Sequence, residues 1–290
     1  MSPLLITGAT GHIGSHLIKQ LAAKGYPLRA LVRSREKAAG LPQEVERVTG
    51  DLARPATLSA AVDGVERLFL LDPSTGLDFT RNMVEASLQA GVRLIVDLSS
   101  IGSGLDPVPI LLRVFSDREA LIKDAGMAWT ILRPGQFMSN ALWWLPSIQA
   151  EGGVRDPFGP GRVASIDPAD IAAVAAIALT QEGHAGATYT LTGDELLTTK
   201  QQVEILARVL GRSIDYVEIT PEEAAQDALA RGMDQGGVAA LREYNERLRA
   251  DEGAILTDDV ERVTGHKPAS FESWCRRNAA AFGLGADRLI

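Results

Sequence analysis

The sequence predicts an α/β protein with a doubly wound parallel sheet and a smaller, mainly helical C-terminal lobe. Three observations predict this class. Short apolar runs alternate with amphipathic runs over the first 135 residues, the connections between them are short, and the first apolar run leads directly into three regularly spaced glycines. Alternation of strands and helices with short connections is typical of a parallel sheet with helices on both faces.

The first element is a strand that runs into the spacing G-x-x-G-x-x-G. Leu4, Leu5 and Ile6 precede Gly8, Gly11 and Gly14. A helical apolar face follows, formed by Leu17, Ile18, Leu21 and Ala22. A strand, a glycine turn and a helix in this order constitute a Rossmann-type dinucleotide-binding fingerprint. The first glycine permits the turn, the second permits close approach of a pyrophosphate, and the third permits the helix to pack on the strand.

The elements that follow continue the alternation up to residue 135. Strands are predicted over residues 28–32, 45–48, 68–71, 92–98 and 129–132, with helices over 56–62, 79–89 and 117–124. Beyond Pro134 the pattern changes, because residues 136–149 are dense in large apolar side chains and residues 152–161 are rich in glycine and proline. We predict further strands over 163–166 and 189–191, an apolar helix over 168–179, and helices capped at Thr198 or Thr199 and at Thr220.

These elements suggest two parts. Residues 1–135 plus about 153–185 are expected to form the NAD(P)-binding domain. Residues 136–152 plus about 186–290 are expected to form a smaller substrate lobe. A substrate is expected between them, since ligand sites occur preferentially at such junctions.

Composition excludes several classes of function. The net charge of −8 disfavours nucleic-acid binding, and the single cysteine, Cys275, excludes an intrachain disulfide. No apolar run is long enough for a membrane span, so we expect a soluble, cytoplasmic protein without a membrane partner. His12 and His16 have metal-ligand spacing, but no Cys/His cluster accompanies them and no metal is expected. No G-x-S-x-G motif supports a hydrolase.

The end of the second strand indicates which dinucleotide binds. Arg33 lies nineteen positions after Gly14, and no acidic residue occurs between Leu28 and Arg35. A basic residue here accommodates the 2′-phosphate, so NADP(H) is favoured over NAD(H), although Arg33 could also be a solvated start of a short helix. Asp51 is expected either to reach the adenine or to cap the next helix. The predicted cofactor-binding residues are Gly8, Thr10, Gly11, His12, Ile13, Gly14, Arg33, Lys37, Asp51, Leu52, Asp72 and Pro73.

Taken together, the motifs resemble those of atypical short-chain dehydrogenases/reductases. The resemblance rests on residues 7–14, the basic end of the second strand, Gly50-Asp51, Ser99-Ser100, residues 130–134 and the tail 264–274. The chain is most similar to the NmrA-like group, which includes NAD(P)H azoreductase- and quinone-reductase-like proteins. This resemblance implies an NAD(P)-binding fold and a Ser-Tyr-Lys reductase site.

The sequence departs from that implied site. Its tyrosines are Tyr26, Tyr189, Tyr216 and Tyr244; none is followed four residues later by lysine, and residues 101–125 contain no tyrosine. Because a Tyr-Lys pair supplies the proton in alcohol and ketone chemistry, we expect other acceptors here. A quinone, imine or azo compound can take hydride while solvent supplies the proton.

Two functions remain open. One is an NAD(P)H-dependent reductase of a small aromatic, quinone-, imine- or azo-type acceptor, with Ser99 and Ser100 as the catalytic candidates or simply as turn serines. Its predicted substrate pocket consists of Phe137, Met138, Asn140, Trp143 and Trp144, which could equally be ordinary core. The alternative is a non-catalytic NADP sensor that binds a protein partner, favoured by the missing Tyr-Lys pair.

Overall fold

The computed structural model describes residues 2–283 and is built around a seven-stranded parallel sheet. The strands of the chain are, in order, β1 (Leu4–Ile6), β2 (Leu28–Val32), β3 (Glu46–Thr49), β4 (Arg67–Leu70), β5 (Leu94–Leu98), β6 (Ala128–Pro134), β7 (Gly153–Asp156), β8 (Arg162–Val163), β9 (Thr188–Leu191), β10 (Leu197–Thr198) and β11 (Asp215–Glu218). The order across the large sheet is β3-β2-β1-β4-β5-β6-β9, with every pairing parallel. The predicted Rossmann-type α/β class is confirmed.

Helices cover both faces of this sheet and form most of the C-terminal region. They are α1 (His12–Ala23), α2 (Ser59–Val62), α3 (Asp78–Ala90), α4 (Arg113–Asp124), α5 (Leu145–Glu151), α6 (Pro168–Thr180), α7 (Thr199–Leu210), α8 (Pro221–Ala230), α9 (Gln235–Arg249), α10 (Asp259–Thr264) and α11 (Phe271–Asn278). Short 3₁₀ helices occur at Pro55–Thr57, Ile101–Gly104, Ile110–Leu112, Met138–Trp144 and Ala279–Phe282. Within residues 2–283, no helix has the length and apolarity needed to cross a bilayer.

The pleat of the strands divides the core into two apolar layers. Leu5 and Ile6 are both fully buried, yet Ile6 packs in the layer beneath α1 and α6 while Leu5 packs in the layer beneath α2 and α3. Successive side chains of a strand point to opposite faces, so a strand buried on both sides must be apolar throughout. This requirement explains why the first strand consists only of Leu and Ile.

The smaller lobe has its own apolar cluster, which includes Phe271, Trp274 and Cys275 together with side chains of α7. Cys275 is fully buried there, and burial raises the pKa of its thiol to about 12, so this residue is part of the core. Two small sheets complete the lobe, β7 with β11 and β8 with β10.

The boundary between the two parts differs from the predicted one in three strands. Residues 153–156 and 162–163 were expected in the nucleotide-binding domain, but β7 pairs with β11 and β8 pairs with β10 of the smaller lobe. Residues 186–191 were expected in the smaller lobe, but β9 extends the large sheet beside β6. All three strands are short, and their partners are set by contacts distant in sequence, which the local pattern does not encode.

Two predicted helices also differ in extent. The helix expected over 56–62 is divided into a 3₁₀ turn and α2, because the Thr57 hydroxyl bonds to the backbone of Asp51 and Arg54 and closes the turn. Helix α4 begins at Arg113, four residues before the predicted start. Thr198 is the cap of α7 and Thr220 that of α8, each within a capping box.

The strand order places a ligand site at the carboxyl edge of the sheet. Strand β1 lies between β2 and β4, and the chain leaves β1 toward β2 but leaves β4 toward β5, in the opposite direction across the sheet. The crevice outside the carboxyl ends at such a reversal is where ligands bind in open α/β sheets. Both cavities described below open at this edge.

Candidate active site

A cavity of about 250 Å³ lies at the carboxyl ends of β1, β2 and β3. The glycine turn forms one wall, and the segment after β2 forms another. The predicted residues that line this cavity are Gly8, Thr10, Arg33, Lys37, Asp51, Leu52 and Pro73, to which the structure adds Ser34 and Phe79. Its shape and its mixture of backbone, apolar and basic groups suit the adenosine half of a dinucleotide.

The glycine turn has the geometry that a pyrophosphate requires. Gly8 has a φ of +62°, which favours glycine, and its carbonyl accepts a hydrogen bond of 2.9 Å from the Gly11 amide. A Cβ on Gly14 would lie 2.2 Å from the Gly8 carbonyl oxygen. Helix α1 begins after Gly11 with neither a side-chain cap nor an acidic residue in its first turn, so its N-terminal amides are open to an anion. The turn therefore fits the diphosphate of a nicotinamide dinucleotide.

The remaining predicted cofactor residues are distributed around this turn. His12 and Ile13 are the first residues of α1, and Ile13 is buried against the core. Asp51 lines the cavity, while its carboxylate also accepts a hydrogen bond of 3.0 Å from the Ala53 amide. This bond closes the turn after β3, but neither the 3₁₀ helix at Pro55–Thr57 nor α2 has a side-chain cap, so the helix-capping role considered for Asp51 is wrong, and its contact with the adenine stays a prediction.

Asp72 does not lie in this first cavity. Its two carboxylate oxygens accept hydrogen bonds from the Ser74 amide at 2.8 Å and the Thr80 hydroxyl at 2.7 Å. The guanidinium of Arg118 donates to the carbonyls of Asp72, Ser74 and Gly76 and thereby holds the loop after β4. This buried arrangement fixes the chain at the point where it passes beside the second cavity.

The second cavity is larger, about 440 Å³, and the two cavities meet at Leu71. Its floor is the carboxyl edge of β4, β5 and β6, including Asp72, Ser99 and Ser100. Its roof comes from the smaller lobe, including Tyr244 and Leu248 of α9. Most of the other lining side chains are apolar. A dinucleotide bound at the glycine turn would therefore extend its nicotinamide into a mainly apolar chamber between the two parts of the chain.

Of the five residues predicted to form the substrate pocket, the structure brings three to this cavity. Phe137, Asn140 and Trp143 line it, and Trp143 stands at the surface with 77% of its area exposed. The other two, Met138 and Trp144, pack in or against the core of the smaller lobe. The cause is the 3₁₀ geometry of Met138–Trp144, which aligns every third residue on one face. Helical periodicity alone does not separate these two faces.

Ser99, at the end of β5, is held by a buried carboxylate. Its hydroxyl donates to Glu119 at 2.6 Å, and the same carboxylate accepts bonds of 2.8 and 2.6 Å from Arg133 and one of 3.0 Å from Lys123. Burial by itself would raise the pKa of Glu119, but the hydrogen bonds from Arg133, Ser99 and Lys123 lower it overall. Glu119 is therefore an ionised acceptor at neutral pH.

A second carboxyl group lies beneath this network. Asp97 of β5 is buried, and its burial, reinforced by the negative charge of Glu119, raises its pKa to about 8. Two buried carboxyl groups so close together do not both ionise readily. The proton on Asp97 thus permits Glu119 to carry the charge that binds Ser99.

Helix α4 occupies the place where the resemblance implies a Tyr-Lys pair. Phe115, one turn before Glu119, lines the large cavity with its ring. Phenylalanine has no proton to donate, so the structure gives this helix no acid at that position. Sequence reasoning did not identify Phe115, Gln136, Tyr244 or Arg247 as cavity residues. The last three reach the cavity from segments beyond residue 134, and Phe115 lies in a stretch that was searched for tyrosine.

Arg247 lines the cavity, but its charge is compensated. Its guanidinium contacts Glu252 at 2.6 Å and Glu243 at 3.5 Å and donates to the Pro107 carbonyl at 2.7 Å. The bond to Pro107 also links α9 to the segment before the 3₁₀ helix Ile110–Leu112. Among residues 2–283, moreover, no three potential metal ligands cluster.

Comparisons with known proteins show the family of this chain. Residues 8–182 match the family model described as NAD(P)H-binding, and the chain belongs to this family. It is 35% identical over 283 residues to an NAD(P)H azoreductase of Xenophilus azovorans, which covers 97% of this chain and 99% of that protein. It is 36% identical over 282 residues to a (4-alkanoyl-5-oxo-2,5-dihydrofuran-3-yl)methyl phosphate reductase of Streptomyces griseus, which covers 96% of this chain and 99% of that protein.

A solved structure with a bound nicotinamide cofactor is also similar to this chain. The NADPH complex of the quinone oxidoreductase QOR2 from Escherichia coli is similar with a TM-score of 0.81 and 27% identity, covering 94% of this chain and 99% of that one. The resemblance to NmrA-like, atypical short-chain reductases is thereby confirmed. The family and this neighbour establish a nicotinamide dinucleotide as the cofactor class.

Proposed function

We propose that this protein is an NADPH-dependent reductase of flat acceptors of the quinone, azo or imine type that carry no negative charge. One observation carries the proposal: the cofactor cavity opens at Leu71 into a larger, mainly apolar cavity. A chamber of this kind holds an aromatic ring against a nicotinamide and excludes water. The named relatives, an azoreductase and a quinone oxidoreductase, support the same acceptor class.

When bound, the reduced cofactor supplies a hydride. The side chains of the protein hold the acceptor against the cofactor and exclude water from it. The apolar side chains of Phe115, Phe137 and Leu248 offer flat or smooth surfaces to an aromatic acceptor. The polar groups of Ser100, Gln136 and Asn140 can orient it through hydrogen bonds.

The charges around the large cavity disfavour an anionic acceptor. Its arginine, Arg247, is already bound to Glu252 and Glu243. A phosphate group entering here would meet those two carboxylates, and its desolvation would not be compensated. We therefore expect phosphate esters, the class printed in the name of the Streptomyces relative, to be poorer acceptors than neutral quinones.

The proposal specifies NADP(H) over NAD(H). Arg33 and Lys37 line the small cavity beside Ser34 at the end of β2, where a 2′-phosphate would lie. An acidic residue at this position would be needed to bind the free 2′-hydroxyl of NAD. The basic pair supports the phosphorylated cofactor.

The competing proposal is a sensor of NADP that binds a protein partner. Phe115 and Glu119, in place of a proton-donating pair, favour it. A sensor, however, does not require an open apolar chamber at the nicotinamide end of its cofactor.

The decisive experiment follows the oxidation of NADPH by the purified chain with 1,4-naphthoquinone, an azo dye and a cyclic iminium salt. Turnover above the uncatalysed rate with at least one acceptor supports the reductase. Tight NADPH binding without turnover of any of them would refute the reductase and support the sensor.

A further inference from the structure

Hydride addition to a neutral quinone or azo compound creates a negative charge that an acid must neutralise. The described residues that line the large cavity include few groups with an acidic proton. Asp72 accepts hydrogen bonds on both carboxylate oxygens, and Glu252 is ion-paired to Arg247. Both carboxylates are thus occupied as acceptors by these partners. Ser99 directs its hydrogen to Glu119, and a serine hydroxyl is a far weaker acid than a phenol.

Tyr244 is the remaining acidic group among these lining residues. It lies on α9, in the roof of the cavity, while Ser99 and Ser100 lie on its floor. Gln136, two residues after β6, lies beside its hydroxyl and lines the same cavity. An acceptor in this chamber would thus lie between the carboxyl edge of the sheet and the phenol.

The phenol of Tyr244 carries its proton at neutral pH. Burial raises the pKa of Tyr244, while the neighbouring side chain of Gln136 acts in the opposite direction. The hydroxyl is therefore protonated at neutral pH, and the amide of Gln136 can stabilise the phenolate once the proton has left.

We propose that Tyr244 is the proton donor to acceptors that become anionic on reduction. This inference rests on the proposed reductase function. With a quinone, two electrons and a hydrogen pass from NADPH as hydride, leaving NADP⁺ and a hydroquinone monoanion. The O–H bond of Tyr244 breaks as an O–H bond forms on the quinone oxygen. The resulting phenolate then takes a proton from water, and the overall stoichiometry consumes one NADPH and one proton.

The test compares two acceptors of similar size but different charge. Hydride addition to 1,4-naphthoquinone produces an anion, whereas hydride addition to 2-methyl-3,4-dihydroisoquinolinium produces a neutral amine and needs no acid. Tyr244→Phe should lower kcat with the quinone by roughly 100-fold and leave kcat with the iminium salt within about twofold. Tyr26→Phe is the matched control, because Tyr26 precedes β2 at the opposite edge of the sheet and should change neither rate.

Other outcomes distinguish this inference from the proposed function. Equal losses with both acceptors would show a structural role for Tyr244 and overturn the inference alone, as would the absence of any loss. If the wild-type chain reduces neither of these acceptors nor the azo dye, the proposed function is refuted, and the inference is refuted with it. If it reduces the quinone or the azo dye but not the iminium salt, a solvent deuterium isotope effect on kcat of the wild type, lost in Tyr244→Phe, supports the inference, and its persistence overturns it.

A binding measurement gives a readout that is independent of turnover. α-Tetralone offers one carbonyl to a hydrogen-bond donor, and tetralin is the same bicyclic compound without it. Quenching of tryptophan fluorescence, to which the exposed Trp143 at the cavity would contribute, reports their binding. Tyr244→Phe should weaken tetralone roughly fivefold and leave tetralin unchanged, as expected for one lost hydrogen bond. Equal weakening of both ligands would indicate a change of cavity shape instead.

Discussion

The hydroxyl of Ser99 lies 2.6 Å from a carboxylate oxygen of Glu119, and this bond determines what the serine offers to the cavity. An ionised carboxylate only accepts, so Ser99 must donate to it. The oxygen of Ser99 therefore accepts from the Ser103 hydroxyl at 3.2 Å, and its remaining lone pair suits an N–H donor, such as the carboxamide of a nicotinamide. Ser100 differs, because its oxygen is 3.4 Å from the Gly102 amide and its own hydrogen remains available to an acceptor.

Substitution of Ser99 should consequently affect cofactor binding, and substitution of Ser100 should affect substrate binding. Ser99→Ala removes an acceptor for the carboxamide and should weaken NADPH binding roughly fivefold. Ser100→Ala removes a donor to the substrate and should raise the KM for a quinone by about the same factor, with the Kd for NADPH unchanged. Fluorescence titration gives the Kd and steady-state rates give the KM. The reverse pattern would contradict this assignment.

The buried carboxyl group of Asp97 should make the stability of the protein depend on pH. Burial and the charge of Glu119 raise its pKa from 3.8 to about 8. Between these values the folded chain retains a proton that the unfolded chain has released, so the free energy of unfolding falls as pH rises, by about 1.4 kcal/mol per pH unit for this group. Below pH 3.8 both states are protonated, and the effect vanishes.

Asp97→Asn removes this titration. Urea denaturation between about pH 5 and pH 7.5 should show the variant gaining stability relative to the wild type as pH rises. Asp63→Asn, at an exposed position after α2, provides a control whose difference from the wild type should not vary with pH. If the free energies of unfolding of Asp97→Asn and of the wild type changed with pH in parallel, the raised pKa of Asp97 would be refuted.

The sequence could predict those features that depend on neighbouring residues. The turn from Gly8 to Gly14, the caps Thr198 and Thr220 and the alternation of strands and helices are all local, and the structure has each of them. The pairing of β9 with β6 was not predictable in the same way, since it depends on the whole sheet.

The large cavity also depends on contacts between residues that are far apart in the sequence, so its lining was difficult to predict. Gln136 and Tyr244 are more than a hundred residues apart and meet only because α9 covers the edge of the sheet. Tyr244 has no lysine four residues later, so the expected spacing gave no reason to select it. Met138 and Trp144 were assigned to the pocket because an α-helical stripe and a 3₁₀ stripe are indistinguishable over so few residues.

The glycines of the turn should respond differently to the same substitution. On Gly14 a Cβ would meet the Gly8 carbonyl at 2.2 Å, a contact that backbone must move to relieve. Gly14→Ala should therefore destabilise the fold by about 2 kcal/mol. On Gly11 the nearest atom would be 3.3 Å away, so Gly11→Ala should cost less than about 1 kcal/mol.

Substitution of Gly11 should weaken cofactor binding strongly although it affects stability little. A methyl group there would occupy the space in which the pyrophosphate approaches the backbone, so Gly11→Ala should weaken NADPH at least about tenfold while its thermal unfolding stays close to that of the wild type. Calorimetric titration and thermal denaturation of the same samples make the comparison. If Gly11→Ala bound NADPH normally, the diphosphate would not lie over this turn.

The choice between the two nicotinamide cofactors can be tested at Arg33. Arg33 lines the small cavity and Arg35, two residues later, does not, although both side chains are exposed. Arg33→Asp should weaken NADPH roughly 30-fold, because it removes a charge-assisted hydrogen bond and places a carboxylate near the 2′-phosphate. NADH, which lacks this phosphate, should lose no more than about twofold or bind better, since the new carboxylate can accept from its ribose hydroxyl.

Arg35→Asp separates a direct contact from a general effect of charge. It makes the same change in net charge a few ångströms further from the cavity, where solvent and salt screen it, and should weaken NADPH by less than about threefold. Dissociation constants for both cofactors with both variants are needed. Equal losses of NADPH and NADH in Arg33→Asp would remove Arg33 from the 2′-phosphate site. Equal losses of NADPH in the two variants would show that the basic segment attracts the cofactor only by its overall charge, and the selectivity would then have to come from Lys37 or Ser34 in the same wall.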